Sequence, residues 1–94
     1  MQPDGKKQRN ALTAAENAVK ALGLGDAVRA RRSAATAADL DQVGAFSALP
    51  AAVDQAADEL ERRGTISPAA WEALSDAVGP GPVQSLITEV GDGS

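Results

Sequence analysis

The stretch Ile66-Ser67-Pro68-Ala69-Ala70-Trp71 carries the clearest local structural signal in this sequence. Serine is favoured as a helix N-cap because its side-chain oxygen accepts a hydrogen bond from the first turn, and proline is favoured at the first helical position. Ile66 then precedes the cap and Trp71 is the fourth helical residue, which is the spacing of a hydrophobic staple. The stretch therefore predicts a helix over 68–78 with Trp71 on its inner side.

Further helices are predicted on both sides of this one, from apolar residues that recur every three or four positions. Glycine and proline separate them, because glycine ends a helix at little cost and proline suits a first turn. The predicted helices cover, in chain order, 9–22, 26–35, 37–48, 50–63, 68–78 and 82–90. No segment alternates apolar and polar residues as a strand does. The sequence therefore predicts an all-α compact bundle of about five to six short helices, with no sheet.

Length and composition favour one small domain. The chain has 94 residues, and 21 of them are alanine, whereas Leu, Ile, Val and Phe together number only 18. We expect a flexible basic N-terminal arm over 1–8, a single helical domain over 9–90 and a free C-terminal tail over 91–94. Because small domains with few large apolar side chains often gain stability from partners, a homo-oligomer or a protein partner is expected.

The residue types present exclude several kinds of chemistry. With no cysteine and no histidine, the chain has no disulfide, no Cys/His zinc site, no iron–sulfur cluster and no Ser-His-Asp or Cys-His catalysis. Gly23-Leu24-Gly25 lacks the third glycine of a dinucleotide-binding turn, and Gly79-Pro80-Gly81-Pro82 lacks the Lys-Ser or Lys-Thr of a P-loop. We therefore expect no enzyme activity, no catalytic residue, no cofactor and no small-molecule substrate.

Three carboxylates, those of Asp54, Asp58 and Glu61, share one face of the predicted helix 50–63. Oxygen ligands of this kind suit a hard cation such as Mg²⁺. Acidic side chains on a solvated helix face are the more common case. We expect no metal site here.

The sequence contains no apolar stretch of the length that a secretory signal or a membrane-spanning helix requires. The absence of cysteine fits a reducing compartment. Arginine outnumbers lysine six to three, and together with the abundance of alanine this suggests a bacterial or phage origin. We expect a cytoplasmic protein without contact to a membrane.

Charge is divided unevenly along the chain. Residues 1–35 have a net charge of +4, whereas residues 36–94 have a net charge of −8. An asymmetry of this kind is a recognised indication of partner binding. It predicts a small non-enzymatic helical module for protein–protein interaction or assembly, an adaptor in the broad sense. The candidate partner-binding residues are Arg29, Arg31, Arg32, Asp54, Asp58, Glu61 and Trp71.

A second hypothesis comes from residues 37–63. The segments Ala38–Gly44 and Ala52–Ser67 resemble the helix pair of winged-helix regulators of the MarR kind, in which a recognition helix ends in Leu-Glu-x-Arg-Gly. The resemblance implies a DNA-binding regulator or antitoxin-like protein whose basic N-terminal half contacts phosphates. The chain departs from the pattern in its longer turn, in the acidic residues of the second helix and in the helix predicted after Ser67, where a two-stranded wing is expected.

Overall fold

The computed structural model describes residues 5–92 of the chain, with side chains over 6–91. The described residues form five α-helices and no strand. The helices are α1 (Gly5–Gly23), α2 (Ala27–Leu40), α3 (Leu49–Arg63), α4 (Pro68–Val78) and α5 (Pro82–Asp92). This confirms the predicted all-α bundle. Over residues 5–92, none of the helices has both the length and the apolar character that a membrane crossing requires.

Each helix packs against the next one in the chain, and α1 also packs against α3 and α5. The C-terminal ends of α1, α3 and α5 meet the start of α4 at one end of the bundle. Leu22, Leu60, Ile66 and Val90 line one groove there. The loop between α2 and α3 lies at the opposite end, beside the first turns of α1.

The core is built mainly from alanine, which accounts for 13 of the 21 buried hydrophobic residues. Every buried residue of α2 is an alanine, at the helical spacing 27, 30, 34 and 37. Side chains this small allow the backbones of α1 and α2 to approach closely, but each buries little apolar area. The largest fully buried side chains are Leu49, Leu74, Val19 and Val53. The core is therefore continuous but thin.

The predicted helix over 37–48 is wrong. Residues 37–40 are the last turn of α2, and residues 41–48 form a series of turns in which Phe46 is buried. The Thr36 hydroxyl donates to the carbonyl oxygen of Arg32 at 3.0 Å, so it lies inside α2 and caps no new helix. Gly44 has a φ of +78°, a left-handed conformation that a helix does not contain. The alanine series of α2 simply continues through the predicted break.

Asp41 organises the loop that follows α2. Its carboxylate accepts hydrogen bonds from the backbone N–H of Val43 at 3.1 Å and of Phe46 at 2.7 Å, and from Nε2 of Gln8 at 3.2 Å. Oε1 of Gln8 accepts a bond from the N–H of Gln42 at 2.9 Å. Burial raises the pKa of the Asp41 carboxyl, but these hydrogen bonds outweigh it and hold the pKa below its ordinary value.

The two ends of the chain also differ from expectation. Residues 5–8, expected in a flexible arm, belong to α1, and Gln8 is fixed by its contacts with the loop. Residues 91–92, expected in a free tail, belong to α5. The remaining parts of the predicted arm and tail, 1–4 and 93–94, lie outside the described residues.

Candidate partner-binding site

Trp71 lies at the start of α4, and the predicted cap places it there. The side-chain oxygen of Ser67 accepts a hydrogen bond from the N–H of Ala70 at 3.2 Å, and Pro68 is the first helical residue. These local interactions fix where α4 begins, and therefore which face of the helix carries the indole ring. The ring is only partly buried, packed against the edge of the core.

A second set of contacts holds the start of α4 against the end of α3. The carboxylate of Glu59 accepts a hydrogen bond from the backbone N–H of Ser67 at 2.8 Å. This bond lowers the pKa of the Glu59 carboxyl below its ordinary value. Gly64 makes the turn between the two helices at a φ of +78°, and its N–H donates to the carbonyl oxygen of Leu60. The position of Trp71 is thus fixed relative to both α3 and α4.

Two open grooves lie on either side of Trp71. The first, between α4 and α5, has a volume of about 480 Å³, and the second, at the end of the bundle, about 410 Å³. Both are lined by Ile66 and Trp71. The remaining lining residues of the first are Pro68, Glu72, Ser75, Ile87, Thr88 and Gly91. Those of the second are Leu22, Gly23, Leu24, Gly25, Leu60, Gly64, Thr65 and Val90. We call these two grooves together the Trp71 surface.

Two glycines let the helices close around this surface. A Cβ on Gly91 would lie 3.5 Å from the ring of Trp71, so the backbone of α5 already approaches the indole closely. A Cβ on Gly23 would lie 2.7 Å from Cγ1 of Val90, which leaves no space for a side chain between α1 and α5. The indole therefore rests on backbone, and the surface has an apolar floor.

The Trp71 surface is acidic on the side of α4 and α5. From Gly64 to the end of the chain there is no lysine or arginine. Glu72 lines the first groove, and Asp76 and Glu89 are exposed on the same two helices. The nearest cation along the chain is Arg63, whose attraction acts on the carboxylate of Glu59. Asp76 lines a separate groove between α3 and α4, so an apolar partner residue that enters the first groove would lie directly beside one carboxylate, that of Glu72.

Most of the charged residues singled out in the sequence form a separate cluster between α2 and α3. Arg31 of α2 reaches Asp54 at 3.5 Å and Glu61 at 2.5 Å, and the hydrogen bond with Glu61 raises the pKa of Arg31. Asp58 pairs with Arg62 at 2.6 Å, one turn further along α3. These groups are largely exposed, and pairs of this kind contribute little to stability. They link two helices across a solvated face.

The remaining candidates divide in the same way. Arg29 pairs with its own N-cap residue, Asp26, at 3.7 Å, and Arg32 is exposed on α2. None of the six charged candidates lines either groove beside Trp71. Among the described residues, no group of three or more carboxylates has a geometry that could hold a metal ion. The candidate residues from the sequence thus lie on two separate surfaces. Trp71 lines the grooves, and the six charged residues lie outside them.

Sequence reasoning missed two exposed apolar residues at the junction of α1 and α2. Leu24, in the turn between α1 and α2, is 81% exposed, and Val28 in the first turn of α2 is 61% exposed. Leu24 also lines the second groove. The sequence does indicate the exposure of Val28. It is the one large apolar residue in an arginine-rich segment, and no other large apolar residue follows it three or four positions later in α2.

The pair of segments that resembles a winged-helix regulator has a different geometry here. The first predicted helix, 37–48, is the last turn of α2 followed by the loop 41–48, and α4 follows α3 where a two-stranded wing was expected. Comparison of the chain with protein-family models, with curated proteins and with solved structures finds no match.

Proposed function

We propose that this chain is a non-enzymatic protein-interaction module whose Trp71 surface binds a partner that presents apolar side chains flanked by cations. The observation that carries the proposal is the combination of a half-buried tryptophan, two adjoining open grooves and carboxylates as the sole ionised groups of α4 and α5. Tryptophan is enriched among the residues that dominate binding energy, and such residues cluster in well-packed pockets.

The two properties of the surface have different roles in this proposal. Burial of the exposed part of the indole and of its apolar neighbours supplies affinity, at roughly 25 cal/mol per Å² of apolar area removed from water. Glu72, Asp76 and Glu89 supply selectivity, because complementary charge speeds encounter and disfavours partners of like charge. The Ser75 and Thr88 side chains in the first groove offer hydroxyl groups to polar atoms at the edge of the contact.

A fluorescence titration tests the proposal without any label. Trp71 is the one tryptophan of a chain that has no tyrosine, so emission excited near 295 nm reports on this surface alone. Two helical peptides are compared that share the same leucine stripe and carry either lysine or glutamate on the polar face. The basic peptide is expected to change the emission saturably, with an affinity that falls as salt rises. The acidic peptide is expected to leave the emission unchanged.

Charge-reversal variants provide the matched control. Glu72 and Asp76 are exposed on α4, and Asp39 is exposed at the far end of α2, so all three are open to substitution without loss of packing. Glu72→Lys with Asp76→Lys is expected to abolish the preference for the basic peptide, whereas Asp39→Lys is expected to retain it. Equal responses to the two peptides in the unaltered protein, or no response to either, would overturn the proposal.

A further inference from the structure

Leu24 and Val28 form an exposed apolar patch at the start of α2, which we call the Leu24–Val28 patch. Among the described residues, they are two of the three large hydrophobic side chains that are mainly in contact with water; the third is Val43, in the loop at the other end of the bundle. Single exposed apolar residues are ordinary on protein surfaces. Here the two lie four residues apart, on either side of the N-cap Asp26, and Leu24 also lines the second groove, which marks this end of α2 as a candidate contact surface.

Three cations and one carboxylate, that of Asp26, which pairs with Arg29, flank this patch along the chain. Lys20 lies one helical turn before Leu24, Arg29 follows Val28 directly, and Arg32 lies one turn after it. Lys20 and Arg32 are exposed and form no ion pair with any described residue. The patch therefore has the chemistry that the Trp71 surface accepts under the proposed function, namely apolar side chains flanked by positive charge.

We infer that a second copy of this chain is the partner, with the Leu24–Val28 patch of one copy seated on the Trp71 surface of the other. This inference rests on the proposed function and names the partner that it leaves open. The charge balance supports it: α1 and α2 carry seven cations against two carboxylates, whereas α4 and α5 carry four carboxylates and no cation. Two copies in this arrangement bring the oppositely charged pairs of helices together.

The position of Leu24 favours a closed dimer over an open chain of subunits. Leu24 belongs to the patch and also lines the second groove beside Trp71, so patch and groove are neighbours on one face. When a patch and its complementary groove adjoin, a two-fold axis between them lets each copy contact the other twice. A patch on the opposite end would instead favour a head-to-tail contact, which builds a ring or an open filament rather than a two-fold dimer.

Sedimentation equilibrium over a concentration series, at low and at high salt, tests the inference. The unaltered protein is expected to move from monomer to dimer with rising concentration, and more weakly at high salt because exposed charges are screened. Val28→Asn is expected to raise the dimer dissociation constant by about tenfold or more, the range of a central interface residue. Val43→Asn is the matched control, as a valine of similar exposure at the other end of the bundle, and is expected to leave the constant unchanged.

A charge exchange tests the pairing itself. Arg32→Glu and Glu72→Lys are each expected to weaken the dimer, and the double variant is expected to restore it, because the two groups then attract again. A monomer at every concentration, equal effects of the two valine variants, or a double variant weaker than either single one would each overturn the inference. Under the first result, saturable binding of the basic peptide would leave the proposed function standing, and no binding would overturn both.

Discussion

Asp41 is the residue that holds the loop 41–48 in place. Its carboxylate accepts bonds from two backbone N–H groups of the loop and from Gln8, so a neutral amide in its place would lose acceptors on a partly buried site. Asp41→Asn is expected to lower the free energy of unfolding at neutral pH by about 1–2 kcal/mol. Urea denaturation measures the loss. Asp39→Asn is the control, because Asp39 is exposed and takes part in no hydrogen bond or ion pair among the described residues.

The same carboxylate gives a signed pH dependence. The pKa of Asp41 is lowered in the folded chain, so the stability it confers is present above the unfolded value of about 3.9 and is lost as pH falls through the folded value. The pKa of the Glu59 carboxyl is also lowered, by the hydrogen bond that it accepts from the backbone N–H of Ser67. The unaltered protein is therefore expected to lose stability on acidification below about pH 4. A stability gap between wild type and Asp41→Asn that stays constant from neutral pH to pH 3 would contradict this.

Ser67 is the residue on which the position of Trp71 depends. Ser67→Ala removes the acceptor for the N–H of Ala70 and is expected to cost about 1 kcal/mol in the free energy of unfolding. Ser67→Asn retains a capping side chain and is expected to stay near wild type. Thermal or urea denaturation of the two variants checks the pair. An alanine variant as stable as the asparagine variant would show that the cap contributes nothing.

At the scale of the helices, Gly23 sets how closely α5 approaches α1. Alanine favours a helix over glycine by up to about 1 kcal/mol, and less at a last residue such as this one. A Cβ 2.7 Å from a methyl of Val90 costs about 1–3 kcal/mol, so crowding exceeds the gain. Gly23→Ala is expected to destabilise the wild type and to stabilise a Val90→Ala background. Additive effects in this double-mutant cycle would contradict the proposed close packing.

The helices that could be predicted from the sequence are those with strong local end signals. The predicted 50–63, 68–78 and 82–90 differ from α3, α4 and α5 by at most two residues at an end, because proline, serine and glycine mark where these helices begin and end. The predicted break between two helices at residue 36 was wrong. The buried stripe of α2 consists of alanines, which are too small and too common in this sequence to stand out as an apolar pattern. The early start of α1 depends on a contact between Gln8 and the distant loop, and no local pattern reports it.

For the candidate site too, some features could be predicted from the sequence, whereas others exist only in the whole folded molecule. Trp71 could be singled out as the one tryptophan beside a strong cap, and the uneven charge could be read along the chain. The grooves could not be foreseen, because they exist only where α5 returns along α4 and where three helix ends meet. The arginines were singled out as one group, but Arg31 is engaged by Asp54 and Glu61 of α3.

The overall charge also bears on the hypothesis of a DNA-binding regulator. With the acidic helices packed against the basic ones, the molecule offers little attractive field to a polyanion, and two of its three central arginines, Arg29 and Arg31, are already paired. The unaltered protein is expected to bind no duplex DNA in a mobility-shift assay, even at low salt. Salt-sensitive binding that disappears when Arg29, Arg31 and Arg32 are all changed to glutamine would contradict this expectation and favour the regulator hypothesis.

A map of backbone amide chemical shifts in ¹⁵N-labelled protein, recorded as the lysine-faced helical peptide is added, shows whether the Trp71 surface is the binding site. The shifted amides are expected to cluster around the Trp71 surface, in the first turns of α4 and the last turns of α5, together with the indole N–H. The loop 41–48 at the other end of the bundle is expected to stay unshifted. Shifts that concentrate on the outer faces of α2 and α3, around Arg31 and Glu61, with Trp71 unchanged, would contradict the central claim.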